Sequence, residues 1–200
     1  MNKIFERSLY PYHHHPDQVA TKPVHHPLVI IGAGPVGLCA AIDLAQRNVP
    51  VVVVDDNDKV SFGSRAICFA KRTLEICDRL GVGDQLVEKG VQWNLGKVFF
   101  DERKVYEFNL LTEEGHQRPA FINLQQYYVE VYLFERLKVL QENGAPIDIR
   151  GKTKGTELTQ TDNKAMLYLE TPEGCYEISA DWVLACDGAN SPARRMLGLD

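Results

Sequence analysis

Positive charge is scarce in this chain of 200 residues: 22 lysines and arginines stand against 27 aspartates and glutamates, a net of -5. A nucleic-acid groove needs a basic excess, so that class of partner is excluded. Long hydrophobic runs are absent as well, none reaching the roughly 18–20 residues of a membrane span. The opening stretch "MNKIFERSLYPYHHHPDQVATKPVHHP" is polar and broken by prolines, without the apolar centre of a secretory signal, and a cytoplasmic protein is expected. Cysteine offers no framework either. Cys39, Cys68, Cys77, Cys175 and Cys186 are odd in number, far apart and without a C-x-x-C pair, which signals neither disulfides nor a zinc site. Cys39 and Cys186, set in apolar runs, read as small buried hydrophobes.

Residues 1–26 form a polar leader with no hydrophobic period and carry His13, His14, His15, His25 and His26. No cysteine or carboxylate pattern completes a metal-ligand set there, so a flexible or surface-wrapping segment is the expectation. From Pro27 onward the pattern is regular. "LVIIG" suits a parallel strand buried on both faces, "VGLCAAIDLAQRN" has helical spacing, and "VPVVVVDD" is a second β-branched strand. "AICFAKRTLEICDRLGVGDQLVEKG" reads as one helix with Ile67, Leu74, Ile76, Leu80 and Leu86 inward, and "GKVFFDERKVYEFNL" as a strand pair turning at Asp101-Glu102. A long helix in "QQYYVEVYLFERLKVLQENG" stops at Asn143-Gly144, and "PIDIR" is a short strand. "TELTQ", "AMLYLET" and "CYEISA" alternate as an antiparallel meander, after which "WVLACDG" returns as a separate strand to the parallel sheet. The expected fold is α/β: a Rossmann-like domain over 27–200 with a parallel sheet, an antiparallel meander insert and a helical excursion.

"GAGPVG" stands between the first strand and the first helix, where G-x-G-x-x-G has a physical reading. Gly32 permits the tight turn, Gly34 lets the backbone approach a pyrophosphate, and Gly37 lets the helix press on the strand. The helix N-terminus presents N–H groups and the positive end of its dipole to the phosphates. Asp55, 23 residues after Gly32, is placed to accept hydrogen bonds from a ribose, with Asp56 as its close competitor. The alternative is a glycine turn that only packs a helix on a sheet. An acid at this position repels a 2′-phosphate, which leaves NAD or the ADP half of FAD as occupant.

Three later stretches separate the two. "GSRAICF" puts Arg65 after the second strand, where a guanidinium fork can reach a pyrophosphate or can be a plain surface arginine. "QQYYVE" sets Gln126 and Glu130 one turn apart at a helix start, a pattern that also serves ordinary capping. "ACDGANSPARR" ends a strand on Asp187-Gly188. In this order, with the glycine turn and Asp55, these motifs resemble the single-component FAD-dependent aromatic hydroxylases related to p-hydroxybenzoate hydroxylase. The resemblance runs from about Pro27 to the end and is nearest to the branch with 3-(3-hydroxyphenyl)propionate and chlorophenol hydroxylases.

That resemblance implies an FAD-binding domain in which Gly32, Ala33, Gly34, Pro35, Val36 and Gly37 hold the pyrophosphate and Asp55 or Asp56 the adenosine ribose. Arg65 and Gln126 would face the phosphates or ribityl chain, and Asp187 and Gly188 the flavin and the pyridine nucleotide. It implies FAD as cofactor, NAD(P)H as co-substrate, O2 and a small aromatic substrate as partners, with a homodimer left open. It assigns no catalytic residue. The family also carries a second, Gly-Asp strand end without a match here, so the domain is expected to be incomplete, with a substrate-facing sheet beginning around 91–123. The other readings are an NAD-dependent dehydrogenase and a non-catalytic FAD-binding module.

Overall fold

β-branched runs and glycine stops set the element order. The computed structural model describes residues 8–60 and 66–199. The chain runs through β1 (Val24–Ile31), α1 (Pro35–Gln46) and β2 (Val51–Val54), then β3 (Cys68–Ala70), α2 (Lys71–Leu80) and α3 (Gly83–Lys89). Next come β4 (Val91–Trp93), β5 (Leu95–Phe100), β6 (Arg103–Asn109) and β7 (Phe121–Asn123). Helix α4 (Gln126–Glu142) leads to β8 (Ile147–Arg150), β9 (Lys154–Gln160), β10 (Ala165–Thr171), β11 (Gly174–Ala185) and α5 (Pro192–Met196). These elements fall into two compact units, one of residues 1–62 and 133–200, the other of residues 63–132.

The first unit is built on a six-stranded sheet in the order β8-β2-β1-β11-β10-β9. Its β8, β2, β1 and β11 are parallel, and β10 runs antiparallel to both β11 and β9. Val29 lies beside Val52 and Ile31 beside Val54, so these side chains share one face. There Val29, Val52 and Val54 pack with Leu158, Leu167, Leu169 and Ile178 from the meander. Ile30 points the other way, where Gly37 of α1 meets its side chain. Leu38, Ala41 and Ile42 of α1 are fully or almost fully buried. Each aliphatic side chain buried in this way contributes about 1.5–3 kcal/mol, which is what lets a continuous apolar run hold the middle of a sheet.

The last strand departs from the expected two pieces. β11 is one strand of 12 residues. Its first part pairs with β10 through Gly174–Ala180 and its later part with β1 through Ile178–Ala185. Asp181, which looks like a break in the sequence, keeps its side chain half-exposed while the backbone runs on.

In the second unit the single helix expected over 66–90 is a short strand and two helices. Gly81, at φ +84°, adopts the left-handed conformation that ends α2. Ile67, expected to point inward, is 54% exposed, whereas Leu74, Leu80 and Leu86 are buried. Arg118 ties the two helices together: its guanidinium is bidentate to Asp78 of α2 and also donates to Asp84 of α3 at 2.6 Å. β7 lies between β3 and β4, with Trp93 stacked on Phe121 at 4.9 Å. β5 and β6 make the expected hairpin around Asp101-Glu102.

Residues 8–26 of the leader pack on the first unit. Leu9 and Tyr10 are buried, the Tyr10 hydroxyl donates to the Lys59 carbonyl at 3.0 Å, and its ring lies 5.6 Å from that of Phe134. His25 and His26 sit on β1 itself, because that strand starts at Val24. Cys39 and Cys186 are only partly buried. The enclosed thiol is Cys77, pushed up to about 11 by burial and by the charge of Asp78.

Candidate functional site

Three of the chemistry-bearing motifs meet at the C-terminal edge of the parallel strands. The Gly32 N–H donates to the Val54 carbonyl and the Cys186 N–H to the Ile31 carbonyl, both at 2.8 Å. These bonds lock the turn after β1 to the ends of β2 and β11. Ligands bind in this position in open α/β sheets.

The three motif glycines have different jobs. Gly32 sits at φ +104° with its α-carbon against the Cys186 carbonyl, leaving no room for a side chain. A Cβ on Gly37 would run into the Gly32 carbonyl, so this glycine lets α1 close on the turn. Gly34 has an ordinary φ of -74°, and a Cβ built on it would meet no atom within 4 Å. Its open side lies at the N-terminus of α1, which no side chain caps and where Pro35 takes the first position. Ala33 is buried, and Val36 is 69% exposed. The result is a bare helix N-terminus beside a flank of open space, which fits a pyrophosphate.

Asp55 is built into the same turn. One carboxylate oxygen accepts the Ala33 N–H at 2.6 Å and the other the Asn57 N–H at 2.8 Å. Its backbone joins β8, donating to the Arg150 carbonyl at 3.1 Å and accepting from Thr153 at 2.8 Å. Asp56, its competitor in the sequence, points to solvent. A carboxylate held against the glycine turn can accept from a ribose placed over the end of β2.

Asp187 follows β11 and turns back on the segment behind it. It accepts the Ser191 hydroxyl at 2.6 Å and the Ala193 N–H at 2.9 Å, while the Ser191 oxygen accepts the Arg194 N–H at 3.0 Å and caps α5. Gly188 takes φ +86° to make the bend. The two arginines reach back to this loop, Arg194 to the Ala189 carbonyl and Arg195 to that of Asn190. Beside Asp187, burial pushes the Cys186 thiol up, and the neighbouring charge adds to it.

Gly32 through Gly37, Asp55, Asp56, Asp187 and Gly188 are therefore gathered at one edge of the first unit. Gln126 belongs to the second unit, where its amide donates to Glu130 at 2.7 Å. Arg65 lies outside the described residues. The sequence reading missed the bond from Ala33 to Asp55 and the capping of α5. The second had a signal: Ser191 followed by Pro192 is an N-cap with proline at the first helical position. No helix among the described residues is long and apolar enough to cross a membrane, and no group of three or more metal-ligating side chains occurs among them.

Comparison with known proteins places the chain in a family. The chain is 27% identical over 177 residues to para-nitrophenol 4-monooxygenase of Pseudomonas sp. strain WBC-3, covering 86% of this chain and 42% of that protein. It is 29% identical over 176 residues to 3-(3-hydroxy-phenyl)propionate/3-hydroxycinnamic acid hydroxylase of Escherichia coli, covering 86% of this chain and 30% of that one. The crystal structure of p-nitrophenol 4-monooxygenase from Pseudomonas putida DLL-E4 superposes with a TM-score of 0.79 at 27% identity, over 88% of this chain and 44% of the other. The chain thus spans less than half the length of these relatives. The protein-family model of the FAD binding domain matches residues 25–200, and the chain belongs to that family.

Proposed function

We propose that the chain binds FAD at the edge formed by the glycine turn, Asp55 and Asp187-Gly188, as the cofactor-holding part of a monooxygenase that hydroxylates a phenolic ring with NAD(P)H and O2. The observation that carries the reading is the open flank of Gly34 at an uncapped helix N-terminus, between two glycines that packing requires. The relatives named above, a nitrophenol monooxygenase and a hydroxyphenylpropionate hydroxylase, support the substrate class. In the overall reaction a ring C–H becomes C–OH with one atom of O2. The other atom leaves as water, the electrons arriving as a hydride from NAD(P)H with one proton from solvent. Bound flavin supplies the relay of electrons between the nicotinamide and O2.

The chain's own contribution is to hold and orient. The N–H groups at the start of α1 take the pyrophosphate, Asp55 orients the ribose while bracing the turn, and Asp187 fixes the loop that carries Gly188. A non-catalytic FAD-binding module, with the same contacts to the cofactor, is the second reading.

Titrating the purified protein with FAD tests the first half, through the shift of flavin absorbance and quenching of its fluorescence. A protein that takes up no flavin overturns the proposal. NAD(P)H oxidation stimulated by a panel of phenols, with hydroxylated product detected, supports the monooxygenase. Flavin uptake without such turnover supports the module.

A further inference from the structure

The carboxylate of Asp55 is supported from two sides, and the leader reaches one of them. Oδ1 of Asp55 accepts the Asn57 N–H two residues on, an Asx turn whose geometry depends on where residue 57 sits. Residues 56–60 form no helix or strand, so their backbone carbonyls need partners from elsewhere. The Asn57 carbonyl accepts the Lys152 N–H at 2.9 Å, from the turn after β8. The Asp58 carbonyl accepts the Leu9 N–H at 2.8 Å and the Tyr10 N–H at 3.4 Å. The Lys59 carbonyl accepts the Tyr10 hydroxyl, and the Ser8 hydroxyl donates to the buried Asp58 carboxylate at 3.1 Å.

The fit of the leader is close. The Tyr10 carbonyl lies so near Gly151 that a Cβ on that glycine would overlap it. Residues 8–10 on one side and the turn at 151–153 on the other therefore grip the segment 57–59 between them. The family model matches from residue 25 onward, so half of this grip comes from outside the matched domain. Without the leader, the carbonyls of residues 58 and 59 turn to water and the segment regains conformational freedom.

We infer that Ser8, Leu9 and Tyr10 are positioning residues for the cofactor edge, acting through Asp55. They fix the segment 57–59, and the Asn57 N–H passes that constraint to the carboxylate which faces the adenosine ribose. The ligand in this role rests on the FAD reading given above, whereas the hold on Asp55 rests on the leader's own bonds.

The test combines Ser8→Ala with Tyr10→Phe in the full chain, which removes two side-chain bonds and keeps the buried ring. In the flavin-free protein, amide exchange at Asn57 and Ala33 is expected to quicken about tenfold, with Leu167 in the meander unchanged. FAD is expected to bind about three- to tenfold more weakly. Asp55→Asn supplies the readout that a general loosening would not move. In that background the leader substitutions should weaken FAD no further. Gly151→Ala pushes the Tyr10 carbonyl away from the other side, and the folded variant should quicken the same two amides. Unchanged exchange at Asn57 and Ala33 in either folded variant overturns the inference. So does an equal loss of FAD affinity with and without Asp55→Asn. An exchange response in a chain that takes up no flavin supports the leader's hold on Asp55 and overturns the FAD reading instead.

Discussion

At the residue scale, the three glycines of one motif differ in what packing demands of them. Gly34→Ala adds a methyl group to open space at a permitted φ, so unfolding in urea should shift by less than about 0.5 kcal/mol. FAD affinity should nevertheless fall at least about tenfold, because the methyl occupies the flank of the phosphate site. Gly37→Ala drives a Cβ into the Gly32 carbonyl and should cost about 1–3 kcal/mol of stability. A Gly34→Ala protein that binds FAD normally would disprove the assignment of that flank. Thiol chemistry offers a second check. Cys68 and Cys175 are exposed, whereas Cys77 is buried with its thiol pushed up to about 11. Titration with a disulfide reagent at pH 8 should label the first two quickly and Cys77 only on unfolding. The sequence placed the glycines, and the packing roles of Gly32 and Gly37 agree with their spacing. It misjudged which cysteine is enclosed, since a thiol inside an apolar run can still lie at a strand end, as Cys186 does.

At the element scale, α5 depends on its own first residues. It has five residues, too few to persist alone, and its start is held by Ser191 and Asp187. Ser191→Ala should cost about 1 kcal/mol, the ordinary price of a lost N-cap. Asp187→Ala removes the acceptors for both the hydroxyl and the Ala193 N–H and should cost more, about 2 kcal/mol. Denaturant unfolding of the two variants measures the difference, and equal losses would show that the Ala193 N–H bond to Asp187 adds nothing beyond the cap. Elements with strong periods were legible: β1, α1, β2, α4 and the meander all came from apolar spacing. Boundaries set by a single residue were not. Gly81 splits a pattern that reads as one helix, because nothing in the residue order shows that this glycine takes the left-handed conformation that ends α2. Asp181 suggests a strand end that the backbone ignores, because its side chain finds solvent.

For the whole molecule, the leader is the part least visible in composition. Its histidines and prolines suggested a flexible or surface-wrapping segment, and within it Asp17 is buried against Arg150 and His26. Burial alone would raise the Asp17 carboxyl. The His26 hydrogen bond, with the charge and hydrogen bond of Arg150, outweighs it and holds the carboxyl below its ordinary value. A depressed carboxylate stabilises the fold above its unfolded value, about pH 3.9, and that contribution is lost as the pH falls through the folded value. Asp17→Asn should therefore lower stability at pH 7 and flatten the acid limb of the stability curve below about pH 4. An acid limb identical to wild type would place the sensitivity elsewhere. Asp17→Ala leaves Arg150 with Asp148 alone and should cost about 3 kcal/mol, the lower end for breaking a buried pair. The gathering of the glycine turn and Asp55 at one strand edge was legible because these motifs are local in sequence. The leader's docking was not, since it rests on partners scattered along the chain, from Lys59 to Arg150.

The single strand β11 also governs how the first unit comes apart. Its early residues belong to the meander and its later ones to the parallel sheet, and it ends two residues before Asp187. Opening the meander must pull on the strand that supports the cofactor edge, so the two behave as one cooperative unit. Amide hydrogens of Ile178 and Val183 should exchange with similar free energies, and flavin added at saturation should slow both. Binding at one end of the sheet would then be recorded as protection in a hairpin that touches no ligand.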